Sequence, residues 1–235
     1  MNRMKLLITC EHGGNQIPPE YQSWFEDSQD LLNSHRGFDL GALAMARRLA
    51  ARFNAPLFYS TTSRLLADLN RSRSHPYLFS EITKPAPQEV KEAILRDYYD
   101  PYRGEVERAM DEALEEHQIV IHISVHSFTP VWDGMERKVD IGILYDPSRA
   151  KEKEFARQWL MKIREMQADW VVRRNHPYRG IADGFTTHFR RRLSAQEYVG
   201  IELEINQKWL AEPSRKGEQL AESVEEGLQN VLSRF

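Results

Sequence analysis

The stretch from Ile119 to Phe128, with the sequence Ile-Val-Ile-His-Ile-Ser-Val-His-Ser-Phe, is the feature that most constrains the fold of this chain. Its apolar, β-branched start is typical of a strand that is buried on both faces of a parallel or mixed α/β sheet. Ligands of such sheets bind beyond the carboxyl ends of the strands, and His126 lies at that end. His122 points to the same face, because side chains alternate along a strand. We expect only His126 to face a cleft, and a lone strand histidine is more often a core residue than a ligand.

Apolar strand patterns alternate with amphipathic helix patterns along the 235 residues. The predicted strands span residues 6–10, 55–59, 119–128, 139–144, 170–172 and 198–206. The predicted helices span residues 40–53, 88–117 with a break near Pro101, 149–166, 186–193 and 213–231. This alternation, without a repeat or a low-complexity linker, predicts one α/β domain over residues 1–235.

Composition narrows the class of protein. The single cysteine, Cys10, excludes an internal disulfide framework and suits a reducing compartment. The sequence contains no apolar stretch near the roughly 18 residues of a membrane span, and its first residues lack a secretory pattern. The net charge of −3, with acids and bases interspersed, argues against bulk electrostatic binding of nucleic acid. We therefore predict a cytoplasmic protein without a nucleic-acid or membrane partner.

Several polar residues stand near the ends of predicted elements, and each also has an ordinary structural interpretation. His12 follows the first strand among glycines, which are typical of a turn and also allow a ligand to approach the backbone. Asp39 precedes a helical stripe, where an aspartate is usually an N-cap. Glu202 and Glu204 share one face of the last strand. The arginine run at residues 190–192 is most simply a solvated helix face.

Together, these residues are the parts that a zinc hydrolase needs. Neutral imidazoles hold the ion, a carboxylate accepts a proton, and cationic or amide side chains anchor an acidic substrate. We expect His12 and His126 to meet at one edge of the sheet. The residues lie far apart in sequence, with no compact spacing such as His-Glu-x-x-His. Spacing alone therefore leaves the metal-site and the structural interpretations both open.

Five stretches carry a resemblance to a known family over most of the chain. They are Cys-Glu-His-Gly-Gly-Asn-Gln-Ile-Pro at residues 10–18, Ser-Arg at 63–64 with Asp-Leu-Asn-Arg at 68–71, His-Ser-Phe at 126–128, Asn at 175 with Pro-Tyr-Arg-Gly at 177–180, and Glu-Leu-Glu-Ile-Asn at 202–206. In these stretches and their order, the chain resembles the N-formylglutamate amidohydrolase family. That family is distantly similar to zinc carboxypeptidases and to the aspartoacylase and succinylglutamate desuccinylase group. The resemblance implies a mixed, mostly parallel sheet flanked by helices, which is the phosphorylase/hydrolase-like fold of zinc carboxypeptidases.

The resemblance also implies site residues and a cofactor. One zinc ion per chain would be bound by His12 and His126. Glu204 would be the catalytic carboxylate, and Arg64 would polarise the scissile carbonyl. The residues implied in substrate binding are Asn70 and Arg71, which would hold a substrate carboxylate, and Asn175, Tyr178 and Arg179.

The third metal ligand is a departure from the pattern of those relatives. They place a ligand glutamate three residues after the first histidine, where this chain has Asn15. An amide is a weak zinc ligand, so another residue is expected to bind the ion. Asp39 is the preferred third ligand, and Glu11 is the reserve.

These expectations predict a metal-dependent amidohydrolase of amino-acid metabolism. Its substrate would be N-formyl-L-glutamate or a similar acidic N-acyl amino acid, cleaved at a linear amide C–N bond. One alternative is a carboxypeptidase or deacylase that acts on another acidic amide. A second alternative is a non-catalytic anion-binding protein of the same fold that has lost full metal coordination.

Overall fold

The computed structural model describes residues 4–235, and residues 1–3 of the predicted domain lie outside it. The strands are β1 (Met4–Cys10), β2 (Leu57–Tyr59), β3 (Ile119–Phe128), β4 (Val131–Trp132), β5 (Met135–Glu136), β6 (Ile141–Leu144), β7 (Val172–Arg174) and β8 (Tyr198–Asn206). The main sheet has the order β2-β1-β3-β8-β6-β7, and β4 pairs with β5 in a separate hairpin. β6 runs antiparallel to β8, whereas the other pairings of the main sheet are parallel. The predicted mixed, mostly parallel sheet is confirmed.

Helices cover both faces of this sheet. They are α1 (Gln29–Leu32), α2 (Ala42–Phe53), α3 (Gln88–Ile94), α4 (Asp100–Glu116), α5 (Ala150–Met166), α6 (Phe185–Arg192) and α7 (Arg215–Leu232). A π-helical turn, Leu95–Tyr99, joins α3 to α4 just before Pro101. Proline lacks the N–H group that would continue the helical ladder, so the predicted interruption falls where the backbone must change its hydrogen bonding. None of the helices between residues 4 and 235 combines the length and the apolar character needed to cross a bilayer.

The two faces of β3 have different surroundings. Ile121, Ile123 and Val125 pack in the larger core with α2, α5 and α7. On the other face, the His122 ring stands edge-on to the rings of α6, and α4 covers the same side. Burial on both faces explains why the sequence of β3 is almost continuously apolar.

Strand register brings polar residues together at one edge of the sheet. β3 and β8 pair so that His126 lies beside Glu204 and Ser124 beside Glu202. β1 is parallel to β3 and ends at Cys10, which places His12 just beyond the same edge. The last strand in sequence, β8, therefore occupies the middle of the sheet and delivers its carboxylates to the histidines.

The prediction that Asp39 caps the helix at residues 40–53 is wrong. The helix begins at Ala42, and Gly41 occupies the N-cap position with φ of 78°, a left-handed conformation that glycine adopts without strain. The Asp39 side chain turns away from the helix and makes no cap hydrogen bond there. The carboxylate is directed instead toward the two predicted ligand histidines.

The prediction of a solvated arginine run is wrong for Arg190. Its guanidinium is buried, pairs with Glu152 at 3.0 Å, and donates to the carbonyl oxygens of Gly180 and Gly200. Arg191 is exposed, and Arg192 pairs with Asp111 at the surface. Because α6 lies against the sheet, one arginine of three consecutive ones must face inward, and this one is neutralised by a buried carboxylate.

The hairpin β4–β5 was not predicted. Its turn residues, Asp133 and Gly134, have φ of 50° and 72°. Positive φ at both positions characterises the tight turns that connect hairpin strands, and Asp-Gly is a common sequence for them. That dipeptide was the signal in the sequence that could have identified the hairpin.

Candidate active site

A buried group of His12, Asp39 and His126 lies past the carboxyl edge of the sheet. One potential ligand atom from each residue lies within 4.8 Å of the other two. Oδ2 of Asp39 is 3.4 Å from Nδ1 of His12 and 2.8 Å from Nδ1 of His126. Tetrahedral zinc ligands with bonds of about 2.0–2.1 Å lie roughly 3.3 Å apart, so these spacings are close to those of a metal site. The expectation that the two histidines meet is confirmed.

In both imidazoles Nε2, the nitrogen that does not face Asp39, is held by a carboxylate. Nε2 of His12 lies 2.7 Å from Oδ1 of Asp68, and Nε2 of His126 lies 3.2 Å from Oε2 of Glu11. Ser124 adds a hydroxyl 2.9 Å from Nε2 of His126. Metal-binding histidines commonly have such a partner, which fixes the ring orientation and the tautomer. Glu11, the reserve ligand, therefore lies behind His126, on the side away from Asp39.

Asn15 lies away from the histidine group. It is partly exposed, and its amide donates to the side chain of Asn33 at 2.8 Å. The Asp39 carboxylate, by contrast, lies between the two histidines, with Oδ2 near Nδ1 of each. Of the three candidate residues, Asp39 is therefore the one that contacts both histidines.

The Asp39 carboxylate and the histidines stabilise one another's charged forms. Although burial alone would raise it, the pKa of Asp39 is held well below its usual range by His12 and His126. Burial also opposes the charged form of His126, yet hydrogen bonds to Asp39 and Glu11 raise its pKa well above the ordinary value. Asp39 is thus fixed as a carboxylate, the form in which a carboxyl group binds metal ions.

Arg64 links the two aspartates of the site. It donates to Asp68 at 2.7 Å and to Asp39 at 3.3 Å, and about a quarter of its side chain remains exposed. Although burial would lower it, the pKa of Arg64 is raised by Asp68 and Asp39. A permanent positive charge therefore faces the cavity beside the histidine group.

Glu204 is a buried carboxylate with one oxygen that lacks a partner. Its Oε2 accepts no hydrogen bond from any residue of the described range 4–235. Burial raises the pKa of Glu204 to about 8, with His126 opposing the shift and Asp39 adding to it. A carboxyl group that titrates near neutral pH is suited to transfer protons. Glu202 differs, because its Oε1 accepts a hydrogen bond from the Thr186 hydroxyl at 2.5 Å.

Asn70 lies on the opposite side of the His126 ring from Asp39, and Arg71 follows it in the chain. Nδ2 of Asn70 is 3.4 Å from Nε2 of His126, and its Oδ1 accepts from the backbone N–H of Phe185. Arg71 donates to the carbonyl oxygen of Asp183 at 2.6 Å and keeps about a third of its side chain exposed. Its guanidinium therefore has donors available to a ligand.

A cavity of about 580 Å³ joins these groups. The sequence-predicted site residues that line it are His12, Asp39, Arg64, Asn70, Arg71, His126, Tyr178, Arg179 and Glu204. Sequence analysis missed the aromatic part of the lining, which includes Phe128 and Trp132. It also missed the orienting role of Asp68, although that residue lies within one of the matched stretches.

Asn175 lies outside the described cavity lining. Its Oδ1 accepts hydrogen bonds from the backbone N–H groups of Tyr145 and Gly180, and its φ is 50°. A Cβ on Gly180 would lie 2.2 Å from the Tyr145 nitrogen, so only glycine permits this close approach. These contacts shape the loop that carries Tyr178 and Arg179, and they leave Asn175 no free oxygen facing the cavity.

An α/β sheet with a histidine–carboxylate group at its carboxyl edge is an arrangement found in hydrolases. The family model described as N-formylglutamate amidohydrolase matches residues 4–211. The chain therefore belongs to the N-formylglutamate amidohydrolase family, whose members are hydrolases of amide bonds with small-molecule substrates.

Solved structures of other proteins share the fold. The gene product Atu2144 from Agrobacterium tumefaciens is 30% identical, with a TM-score of 0.82 over 98% of this chain and 91% of that one. N-formylglutamate amidohydrolase from Ralstonia eutropha is 15% identical, with a TM-score of 0.68 over 100% of this chain and 94% of that one. No curated protein matches the sequence.

Proposed function

We propose that this protein is a zinc-dependent hydrolase that cleaves the amide bond of N-formyl-L-glutamate or a similar acidic N-acyl amino acid. The observation that carries the proposal is the arrangement of the two imidazoles. Nδ1 of each faces Oδ2 of Asp39, while Nε2 of each is held by a separate buried carboxylate.

The residues of this group fit a bound metal ion. Two nitrogens and one carboxylate oxygen are the usual protein ligands of a catalytic zinc site, which keeps a further position open. His12, Asp39 and His126 would hold one ion per chain. When bound there, zinc would supply Lewis-acid chemistry, polarising a carbonyl group and making water a better nucleophile near neutral pH.

Glu204 is the group that we assign to proton transfer. Glu204 lines the cavity beside His126 in the strand register, and its buried Oε2 has no hydrogen-bond partner among residues 4–235. As a carboxylate, it would take a proton from the attacking water. As a carboxylic acid, it would then give that proton to the leaving nitrogen of the substrate. A pKa raised to about 8 favours the role of proton donor, and the positive charge of a bound ion would favour the role of proton acceptor.

Cationic and amide groups of the cavity would orient an acidic substrate. Arg71 offers a planar fork of donors that matches a carboxylate, and Asn70 lies next to it with a side-chain N–H group. Arg64 lies beside the histidine group, where it would polarise the scissile carbonyl. Tyr178 and Arg179 line the same cavity and would contact the remainder of the substrate.

The proposal is tested by metal analysis combined with an assay of N-formyl-L-glutamate and N-acetyl-L-glutamate hydrolysis. About one zinc per chain, loss of turnover with a chelator and recovery on adding zinc would support it. His126→Asn should abolish zinc binding and turnover. His188→Asn, which changes a partly exposed histidine paired with Glu107, should leave both intact.

Two results would contradict the proposal. Full turnover by metal-free protein would exclude a metal-dependent reaction. Tight binding of the acidic amide without any zinc uptake or turnover would instead identify the non-catalytic anion-binding alternative.

A further inference from the structure

We propose that the mouth of the cavity is a subsite for an aromatic acyl group, so that the preferred substrates are N-arylacyl amino acids rather than N-formyl ones. This inference rests on the proposed function, because it concerns the same amide bond. It adds the chemical class of the group on the carbonyl side of that bond.

The first observation is a concentration of exposed apolar residues around the cavity mouth. Tyr77, Trp132 and Tyr178 line the cavity and are 73%, 51% and 43% exposed. Val131 and Met135, on the strands of the hairpin β4–β5, are more than half exposed as well. Single exposed apolar residues are common on protein surfaces, but a group around one cavity indicates a binding surface.

The second observation is that the rings of one wall are held in place. The guanidinium carbon of Arg137 lies 5.0 Å from the ring centroid of Trp132, 5.4 Å from that of Tyr178 and 5.6 Å from that of Phe128. Arg137 also donates to the Tyr178 hydroxyl at 3.3 Å. Phe128, Trp132 and Tyr178 form what we call the aromatic wall. Cation–π contacts with one shared arginine orient these rings before a ligand arrives, which reduces the entropy lost on binding.

The third observation is the place of the aromatic wall relative to the substrate anchor. Asn70 stands at the Nε2 edge of the His126 ring, and Asp39 stands at its Nδ1 edge. The loop that leads to Asp39 carries His35, whose ring contacts that of Trp132 with 5.7 Å between centroids. Trp132 of the aromatic wall is therefore in contact with the segment that carries Asp39 at the Nδ1 edge of His126, whereas Asn70 is at the Nε2 edge. A substrate whose carboxylate binds at Asn70 and Arg71 would direct its acyl half toward Trp132.

The size of the cavity supports the same conclusion. A volume of about 580 Å³ falls within the range of pockets that hold drug-sized ligands, roughly 300–1,000 Å³. A formyl group contributes a single carbon to the substrate and would leave the aromatic wall without a partner. An aryl group would fill that space and stack against the rings of Trp132 and Tyr178, which are otherwise about half exposed to water.

The test compares substrates that differ only in the acyl group. We would measure kcat and KM of the zinc-loaded protein for L-glutamate carrying N-formyl, N-acetyl, N-benzoyl and N-phenylacetyl groups. We expect kcat/KM to be roughly tenfold or more higher for the aryl compounds, mainly through a lower KM. Trp132→Ala should remove this preference, lowering kcat/KM for the aryl compounds more than for the formyl compound.

Tyr59→Ala is the matched control, because Tyr59 is a 44% exposed aromatic residue that stacks with Arg47 and lies outside the cavity lining. Tyr59→Ala should leave kcat/KM unchanged for all four substrates. The inference would be overturned if the wild-type protein preferred the formyl compound. It would also be overturned if Trp132→Ala lowered kcat/KM by the same factor for every acyl group. Preference for N-formyl-L-phenylalanine over the N-arylacyl glutamates would also overturn it, since the aromatic wall would then bind the amino-acid half.

A binding measurement separates this inference from the proposed function. If no N-acyl amino acid is hydrolysed, calorimetric titration of N-phenylacetyl-L-glutamate still reports on the aromatic wall. Binding that is weakened roughly tenfold by Trp132→Ala would then support the subsite, while the absence of hydrolysis would refute the proposed reaction. Equal or absent binding in the two proteins would refute the subsite.

Discussion

Nε2 of His12 lies 2.7 Å from Oδ1 of Asp68, and the other oxygen of that carboxylate accepts a hydrogen bond from Arg64. Oδ1 of Asp68 also accepts the backbone N–H of Asn70 at 2.9 Å. Asp68 thus connects the first histidine, the cavity arginine and the loop assigned to substrate binding. Its carboxylate fixes the ring of His12 so that Nδ1 faces Asp39.

Asp68→Asn should weaken zinc binding about 10- to 100-fold, because an amide keeps the shape of the carboxylate but loses the charge that orients and polarises His12. Competition with a chromophoric chelator would measure the affinity. Asp97→Asn, which changes an exposed carboxylate paired with Arg96, is the control and should leave zinc affinity unchanged. Wild-type affinity in Asp68→Asn would show that this contact has no role in metal binding.

Glu204→Gln should lower turnover by about 10²- to 10⁴-fold, since it removes a positioned proton-transfer group while keeping its shape. Zinc content should not change. Glu202→Gln is the matched comparison and should have the smaller effect on turnover, because Glu202 is already bonded to Thr186. Loss of zinc from Glu204→Gln would identify Glu204 as a ligand, and the opposite ranking of the two variants would reverse the assignment.

Arg103→Lys should raise KM roughly tenfold and change kcat little, because Arg103 positions the loop of Asn70 and Arg71. Its buried guanidinium donates to the carbonyl oxygens of Leu69 and Arg71 and stacks 4.1 Å from the Phe185 ring centroid. A lysine keeps the charge but not the planar fork. Steady-state kinetics would measure the effect, with the exposed Arg108→Lys on the same helix as control. A fall in kcat at constant KM would contradict a positioning role.

His122 should make the protein less stable in mild acid. Burial lowers the pKa of His122 to about 4, whereas an unfolded chain protonates histidine near 6.5. Protonation therefore favours the unfolded chain below about pH 6.5. The free energy of unfolding should be highest above that pH and should fall by up to about 3 kcal/mol as the pH drops toward 4. Urea unfolding of wild type and His122→Gln at several pH values would test this. Parallel stability profiles of the two proteins would contradict it.

Much of the fold is predictable from sequence because burial leaves a periodic signature. β8 was predicted with the observed bounds, and β3 was identified from its unbroken apolar run. Strand β7 was displaced by two residues, since its buried position is confined to Val172 and the arginines that follow it are exposed. Short edge strands carry too few buried residues to define their ends.

The site was predictable from sequence only where a polar residue stands at a position that is usually apolar or at the end of a strand. His12 stands out after a strand, His126 stands out near the end of one, and Glu204 stands out as a carboxylate in a buried strand. Asp39 by itself has a common structural explanation as a helix cap, and it was predicted as the third ligand only because Asn15 departs from the pattern of the relatives. The contacts of Asp68 and of the aromatic wall depend on loops whose course is set by tertiary packing. Such contacts leave no periodic pattern in the sequence.

The position of β8 in the middle of the sheet has a consequence for synthesis of the protein. A growing chain produces β1, β3 and β6 well before β8, yet β3 and β6 each need β8 as a neighbour. Until residue 206 leaves the ribosome, two strands keep unpaired edges that favour contacts with other chains. The nascent protein therefore holds both histidines without the carboxylate assigned to catalysis. Insertion of one strand completes the hydrogen-bonded core and the reactive group in the same step.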